Sequence, residues 1–285
     1  MPLTRAYEEP EIAPELRKIY ADIRHTLDLP FVPNLFKVAA GVPEYFRMLW
    51  LDLREVASSK EFHSAARALE EFARSQAIYA GWRIGDQRKA LSGQKFSPYD
   101  EEVLTGVVAI FGKALPQMTL FTRLMELGYS GGQRGRVAQG KQASALSRWF
   151  RLYLPNERDA GIRTWLIYSD MKRTTGTKIV PDVFRALSPY PGYLASTWVE
   201  MKKLLQDPSF RRAVDDVGRR SRALVNGMPV RDHRKLAKNL SPQQWRDIQE
   251  AVDSFARVLP QFLVFTTIWQ RSFRAFGLGS AFGAA

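Results

Sequence analysis

Residues 30–55, PFVPNLFKVAAGVPEYFRMLWLDLRE, are written a second time at 178–203, KIVPDVFRALSPYPGYLASTWVEMKK, in the same order and without a gap. Val32, Pro33 and Asn34 answer to Val180, Pro181 and Asp182, and Phe36, Pro43, Tyr45 and Trp50 to Phe184, Pro191, Tyr193 and Trp198, all at an offset of 148. The echo continues as RSQAIYAG (74–81) against RSRALVNG (220–227) at 146, and as LPQMTLFT (115–122) against LPQFLVFT (259–266) at 144. A period this long is not that of a solenoid; it is a duplicated domain with small loop deletions. The chain of 285 residues therefore reads as a first half over 1–127, a linker over 128–143 carrying five glycines, and a second half over 144–285.

The apolar pattern is helical throughout, and no segment sustains the alternation a sheet requires. The expected fold is all-α, with two pseudo-symmetric helical halves and a site where they meet. In 14–27, Leu16, Ile19, Tyr20, Ile23 and Leu27 form one stripe behind a leading proline. VPNLFKVAAG and VPDVFRALS each place a proline at the start of a short helix, where its missing amide is harmless. Ser97 with Asp100, and Ser241 with Gln244, are start signals for two long helices, each with a proline inside it, Pro116 and Pro260. Those prolines are expected to kink them.

Hydrophobic residues at 45% supply ample core material, and charged residues at 25% are ordinary for a soluble protein. The N-terminal segment has no apolar run of the secretory kind, and Val258–Trp269 is too short to span a bilayer, so a cytoplasmic location is expected. Zero cysteines exclude disulfides, thiolate metal sites and thiol chemistry. A net charge of +13 favours anionic partners such as small carboxylates. The densest basic group, 219–238, lies on or beside a helix without any nucleic-acid-binding signature, so nucleic acid is not the expected partner. A homodimer is allowed.

His25, His63 and His233 are too far apart in sequence to form a histidine metal site, and no nucleophile elbow, phosphate loop or dinucleotide fingerprint is present. What remains are the polar members of the repeat. Asn34 and Asp182 occupy the same place, just inside a short helix; each either stabilises the helix start or, for Asp182, serves as a base that activates water. Only the second copy keeps the ionisable group. Gln117 and Gln261 follow the interior prolines; each either satisfies carbonyls that its proline frees or holds a substrate oxygen or a water. Trp50, Trp198, Phe36 and Phe184 read as core anchors or as ligand platforms.

The segments IYADIRHTLDLPFVPNLFKVAAGVPEYFRMLW (19–50) and PDVFRALSPYPGYL (181–194) resemble the group I 2-haloacid dehalogenases of the DehI type. The resemblance covers both halves. It implies an all-α fold of two related halves and hydrolytic removal of halogen from C2 of a short carboxylic acid. An aspartate activates the water for direct displacement, and no metal, organic cofactor or covalent ester is needed. Aligned on Phe184, Arg185, Ala186 and Leu187, the family's catalytic aspartate falls on Val183, with Asp182 one residue earlier. The family's pocket tryptophan falls on Phe31. Its water-holding asparagine falls on Leu115, with Gln117 two positions on. A broader likeness to the carboxymuconolactone decarboxylase type of helical protein cannot extend to Cys-x-x-Cys chemistry here. The expected site is thus Asp182, Gln117 and Asn34 for catalysis, with Phe31, Phe184, Leu115 and Gln261 holding a small anionic substrate. The other expectation is a diverged member that binds a small ligand or runs a different reaction.

Overall fold

A computed structural model describes residues 5–85, 96–137 and 152–274. Among the described residues 75% are helical and there is no strand, only an isolated bridge pairing Gln133 with Val230. In order come α1 (Pro14–Leu27), α2 (Asn34–Ala39), α3 (Pro43–Ala57), α4 (Lys60–Tyr79) and α5 (Pro98–Tyr129), then α6 (Ile162–Thr175), α7 (Asp182–Ala186), α8 (Pro191–Gln206), α9 (Pro208–Val225), α10 (His233–Leu236) and α11 (Pro242–Arg274). A short 3-10 turn precedes α1 at Glu9–Glu11 and recurs before α6 at Glu157–Asp159, again 148 residues on. Each described helix of the first half has its counterpart in the second.

The local chemistry of the sequence explains the boundaries. In α1 the stripe Leu16, Tyr20, Ile23 and Leu27 is buried, and the helix ends at Asp28 in the left-handed region with φ 50°. The start of α5 is a reciprocal capping box: Ser97 N donates to Asp100 Oδ2 at 2.8 Å and Asp100 N to Ser97 Oγ at 3.3 Å. The start of α11 repeats it, with Ser241 N donating to Gln244 Oε1 at 2.9 Å and Gln244 N to Ser241 Oγ at 3.2 Å. Both long helices remain helical through Pro116 and Pro260. Pro260 leaves the carbonyl of Ala256 without its helical donor. That oxygen accepts instead from Nη2 of the buried Arg123, at 3.0 Å. Only α5 is long and apolar enough to cross a membrane among the described residues, and 78% of its apolar window is buried inside the protein, as befits a core helix.

The helices group into two compact units that do not follow the halves 1–127 and 144–285. One unit holds 5–69, 116–137 and 218–259; the other holds 70–85, 96–115, 152–217 and 260–274. Each unit takes helices from both halves, and two of its boundaries lie at Pro116 and Pro260. The exchanged pieces are sequence equivalents, so each unit still receives one of every kind of helix. Of the expected linker over 128–143, Gly128 and Tyr129 complete α5 and Gln133 is held by the bridge, while 138–143 lie outside the described residues. The opening of the second half at 144–151 and the C-terminal segment GLGSAFGAA lie outside them too.

Candidate functional site

In the first unit, α1 packs on α3 and α2 sits beside α3. The α1 carboxylate Asp22 accepts from Trp50 Nε1 at 2.8 Å and from Arg54 Nε at 2.6 Å. Partial burial raises the Asp22 pKa, but the hydrogen bonds from Arg54 and Trp50 outweigh this and hold it below the ordinary value. In the second unit α6 packs on α8, and Asp170 accepts from Trp198 Nε1 at 2.7 Å and Lys202 Nζ at 2.9 Å. The Trp198 hydrogen bond, with that of Lys202, lowers the Asp170 pKa to about 2. Every partner in one set lies 148 residues from its partner in the other. The ion pair Arg24–Glu9 likewise recurs as Lys172–Glu157. The rings follow the same rule: Phe36 meets Trp50 edge-on at 5.6 Å, and Phe184 meets Trp198 at 5.8 Å. These are the frames on which α2 and α7 are mounted.

The frames deliver Asn34 and Asp182 as the first residues of α2 and α7, both buried. The prolines before them, Pro33 and Pro181, hold extended backbone, so each polar side chain enters the helix at a fixed point. The two copies then diverge one turn later. In the first, the buried Lys37 pairs with Glu8 at 2.6 Å. In the second, the buried Arg185 lies 3.4 Å from Asp182 Oδ1 and donates through Nε to Pro155 O at 3.0 Å. Arg185 is therefore the neighbour of Asp182 that the sequence reading left out, although the i, i+3 spacing of opposite charges on a helix could have flagged it.

Of the other candidates, Phe31, Asn34 and Gln117 fall in the first unit, and Leu115, Asp182, Phe184 and Gln261 in the second. Gln117 is buried, and its Nε2 reaches the carbonyl of Leu27, at the C-terminus of α1, at 3.4 Å. The carbonyl it reaches belongs to another helix, one of those left without a helical donor at the end of α1. Phe184 is fully buried, its ring edge-on to Trp198 and to Phe262, and Phe31 and Leu115 are buried while Gln261 is half-buried. Trp50 and Trp198 are buried core anchors with their indole nitrogens engaged.

The first unit also contains a polar cluster that nothing in the sequence announced. His233 is fully buried, its Nε2 3.0 Å from Asp52 Oδ2, and Asp52 also accepts from the Arg231 amide at 3.2 Å. Tyr45 and Tyr129 present their rings edge-on to His233, and burial pushes both phenols upward. The partners His233 and Asp52 stand 181 residues apart, a separation at which spacing carries no signal. Among the described residues no group of His, Asp and Glu converges as metal ligands would.

Comparison with known proteins places the chain in one family. The family model described as "Halocarboxylic acid dehydrogenase DehI" matches residues 30–183 and, a second time, 178–281. A protein of Rhizobium sp. (strain NHG3) named (R)-2-haloacid dehalogenase is 21% identical over 231 residues, 80% of this chain and 90% of that one. One of Pseudomonas putida with the same name is 22% identical over 271 residues, 89% of this chain and 87% of that one. Among solved structures, a D-2-haloacid dehalogenase mutant in complex with D-2-CPA superposes with a TM-score of 0.81 at 20% identity, over 94% of this chain and 95% of that one. A D-2-haloacid dehalogenase with L-LA gives a TM-score of 0.82 over the same shares, at the same identity. With the fold shared along nearly its whole length and the family model matched once in each half, this chain belongs to the DehI family.

Proposed function

We propose that the chain is a hydrolase that removes halogen from C2 of short 2-haloacids, with Asp182 as the general base that activates water. The observation that carries this reading is the double match to the DehI family, joined to relatives named (R)-2-haloacid dehalogenase that the chain spans over most of their length. Water attacks C2 on the face opposite the halogen, the carbon–halogen bond breaks with its electron pair on the halide, and the water proton passes to Asp182. Displacement of this kind inverts C2, so an (R)-2-haloacid gives the (S)-2-hydroxyacid. Leu115, Phe184 and Gln261, in the unit that holds Asp182, line the substrate. Arg185 Nη1 lies 3.4 Å from the Asp182 carboxylate, a buried positive partner beside the proposed base. The net charge of +13 suits an anionic substrate and a departing halide. The same reading takes the chain as a duplicated pseudo-dimer working in the cytoplasm, singly or as a homodimer.

A second reading is favoured by two observations: Val183, not an acid, stands where the resemblance places the family's aspartate, and Asp182 is already paired to Arg185. On this reading the chain is a diverged member that binds a small ligand or runs another reaction. Halide release from each enantiomer of 2-chloropropionate separates the two. The dehalogenase reading expects release from the (R) form and a loss of about 100-fold or more in Asp182→Asn. No release above buffer moves the chain to the second reading, and full release by Asp182→Ala removes Asp182 as base.

A further inference from the structure

We propose that Asn226 and Gly227 form a site of spontaneous covalent rearrangement, in which Asn226 loses ammonia through a succinimide and becomes aspartate or isoaspartate. This is the one Asn–Gly pair in the sequence. Of the other asparagines, Asn34 is buried, Asn156 caps a 3-10 turn through its side chain, and Asn239 donates to Glu44. Asn226 and Gly227 are both exposed, in the turn that closes α9. Gly227 has φ +88°, and the space where a side chain would stand is open. Among the described residues the Asn226 side chain and the Gly227 amide take part in no hydrogen bond, while the amides on either side are held: Asn226 N by Ala223 O at 3.3 Å, Met228 N by Val225 O at 3.1 Å. The nitrogen that must act as nucleophile is the one that the turn leaves unengaged.

The duplication supplies an internal comparison. In the first copy the equivalent turn is Ala80 and Gly81, also with a left-handed glycine at φ +68°, but there the Gly81 amide donates to Ile78 O at 3.1 Å and residue 80 has no amide group to lose. In the second copy both conditions change together. The step balances without an oxidant or reductant: Gly227 N bonds to Asn226 Cγ, the Cγ–N bond of the side-chain amide breaks, ammonia leaves, and solvent water opens the ring at either carbonyl. The product places a carboxylate in the basic segment, four residues after the exposed Arg222, and lowers the net charge of +13 by one. Isoaspartate also adds one backbone carbon between Val225 and Met228, the two residues whose carbonyls accept from Gln133 Nε2 at 2.8 and 2.6 Å. The clamp on that turn, and the Gln133–Val230 bridge beside it, must then shift.

The test is peptide mapping by mass spectrometry of the whole chain aged in mildly alkaline buffer, beside the synthetic peptide ALVNGMPVR, which is residues 223–231. The expected result is a gain of about 1 Da confined to the 223–231 peptide, split into two chromatographic products, at a rate within about tenfold of the free peptide. Asn226→Ala, which copies Ala80, should fold normally and show no gain. An unchanged 223–231 peptide after the free peptide has converted would overturn the proposal. So would conversion that runs more than about tenfold faster in urea than in the folded chain, because the reaction would then belong to the unfolded state.

Discussion

Replacing Asp170 by Asn tests the reasoning about the tryptophan–carboxylate frames. The carboxylate accepts from Trp198 Nε1 at 2.7 Å, Lys202 Nζ at 2.9 Å and Arg173 Nη2 at 2.9 Å, and its pKa is lowered from 3.8 to about 2, first of all by the Trp198 hydrogen bond. A drop of this size corresponds to about 2.5 kcal/mol. A quarter of the side chain remains in solvent, and screening there reduces the expected loss to about 1.5 kcal/mol. The sign follows from the depressed folded-state value. The contribution is fully present above 3.8 and fades as pH falls toward about 2. Urea unfolding of the whole chain should therefore show the variant weaker at neutral pH, and the two proteins converging in strong acid. Asp170→Ala should cost about 1 kcal/mol more, since the indole N–H of Trp198, which is 3% exposed, would lose its acceptor. Asp22→Asn should behave alike and add to the first loss within about 0.5 kcal/mol, the two sites sharing no partner. An Asp170→Asn gap that persists unchanged below pH 2, or no gap at neutral pH, would refute the account.

Other outcomes follow from single contacts. Arg123→Met removes the donor to Ala256 O, the contact to Ser221 Oγ and the partner of Glu126, and should cost about 3 kcal/mol by thermal or urea unfolding. Gly128→Ala would place a methyl 2.4 Å from His233 Nδ1 and 2.6 Å from Cε1; because Asp52 fixes that ring, the loss should be about 1–3 kcal/mol, and smaller when His233 is also truncated. Asp253 carries a raised pKa, from partial desolvation and then from Glu126, with Glu250 adding and Arg257 opposing. Its ionisation is thus unfavourable in the folded state, so Asp253→Asn should stabilise the protein at neutral pH by less than about 1 kcal/mol. The gain should vanish once pH falls below 3.8, where the carboxyl is protonated in both states.

Much of this architecture is local, and so it was open to reading from the chain alone. Proline and serine at helix starts, the 3.6-residue stripe of α1 and the paired boxes at Ser97 and Ser241 act over a few residues, and each is present in the folded chain. The offset of 148 also told which residues would recur, and the carboxylate–indole frames keep it. Asp22 and Asp170 themselves drew no notice, because a helix-surface acid looks alike whether it meets water or an indole 28 residues away. The same limit hid Arg185 beside Asp182 and the reach of Gln117 to the carbonyl of Leu27.

The sequence by itself determined the helical class, the repeat and the membership that the resemblance named, because periodicity, capping and duplicated order are properties of neighbours along the chain. Only the tertiary structure decided how helices are shared, so that the compact units cross the halves at Pro116 and Pro260. It alone decided which polar groups are buried together, as at Asp182 with Arg185 and Asp52 with His233. Burial and pairing depend on what distant segments bring to one place, and a linear pattern does not encode that proximity.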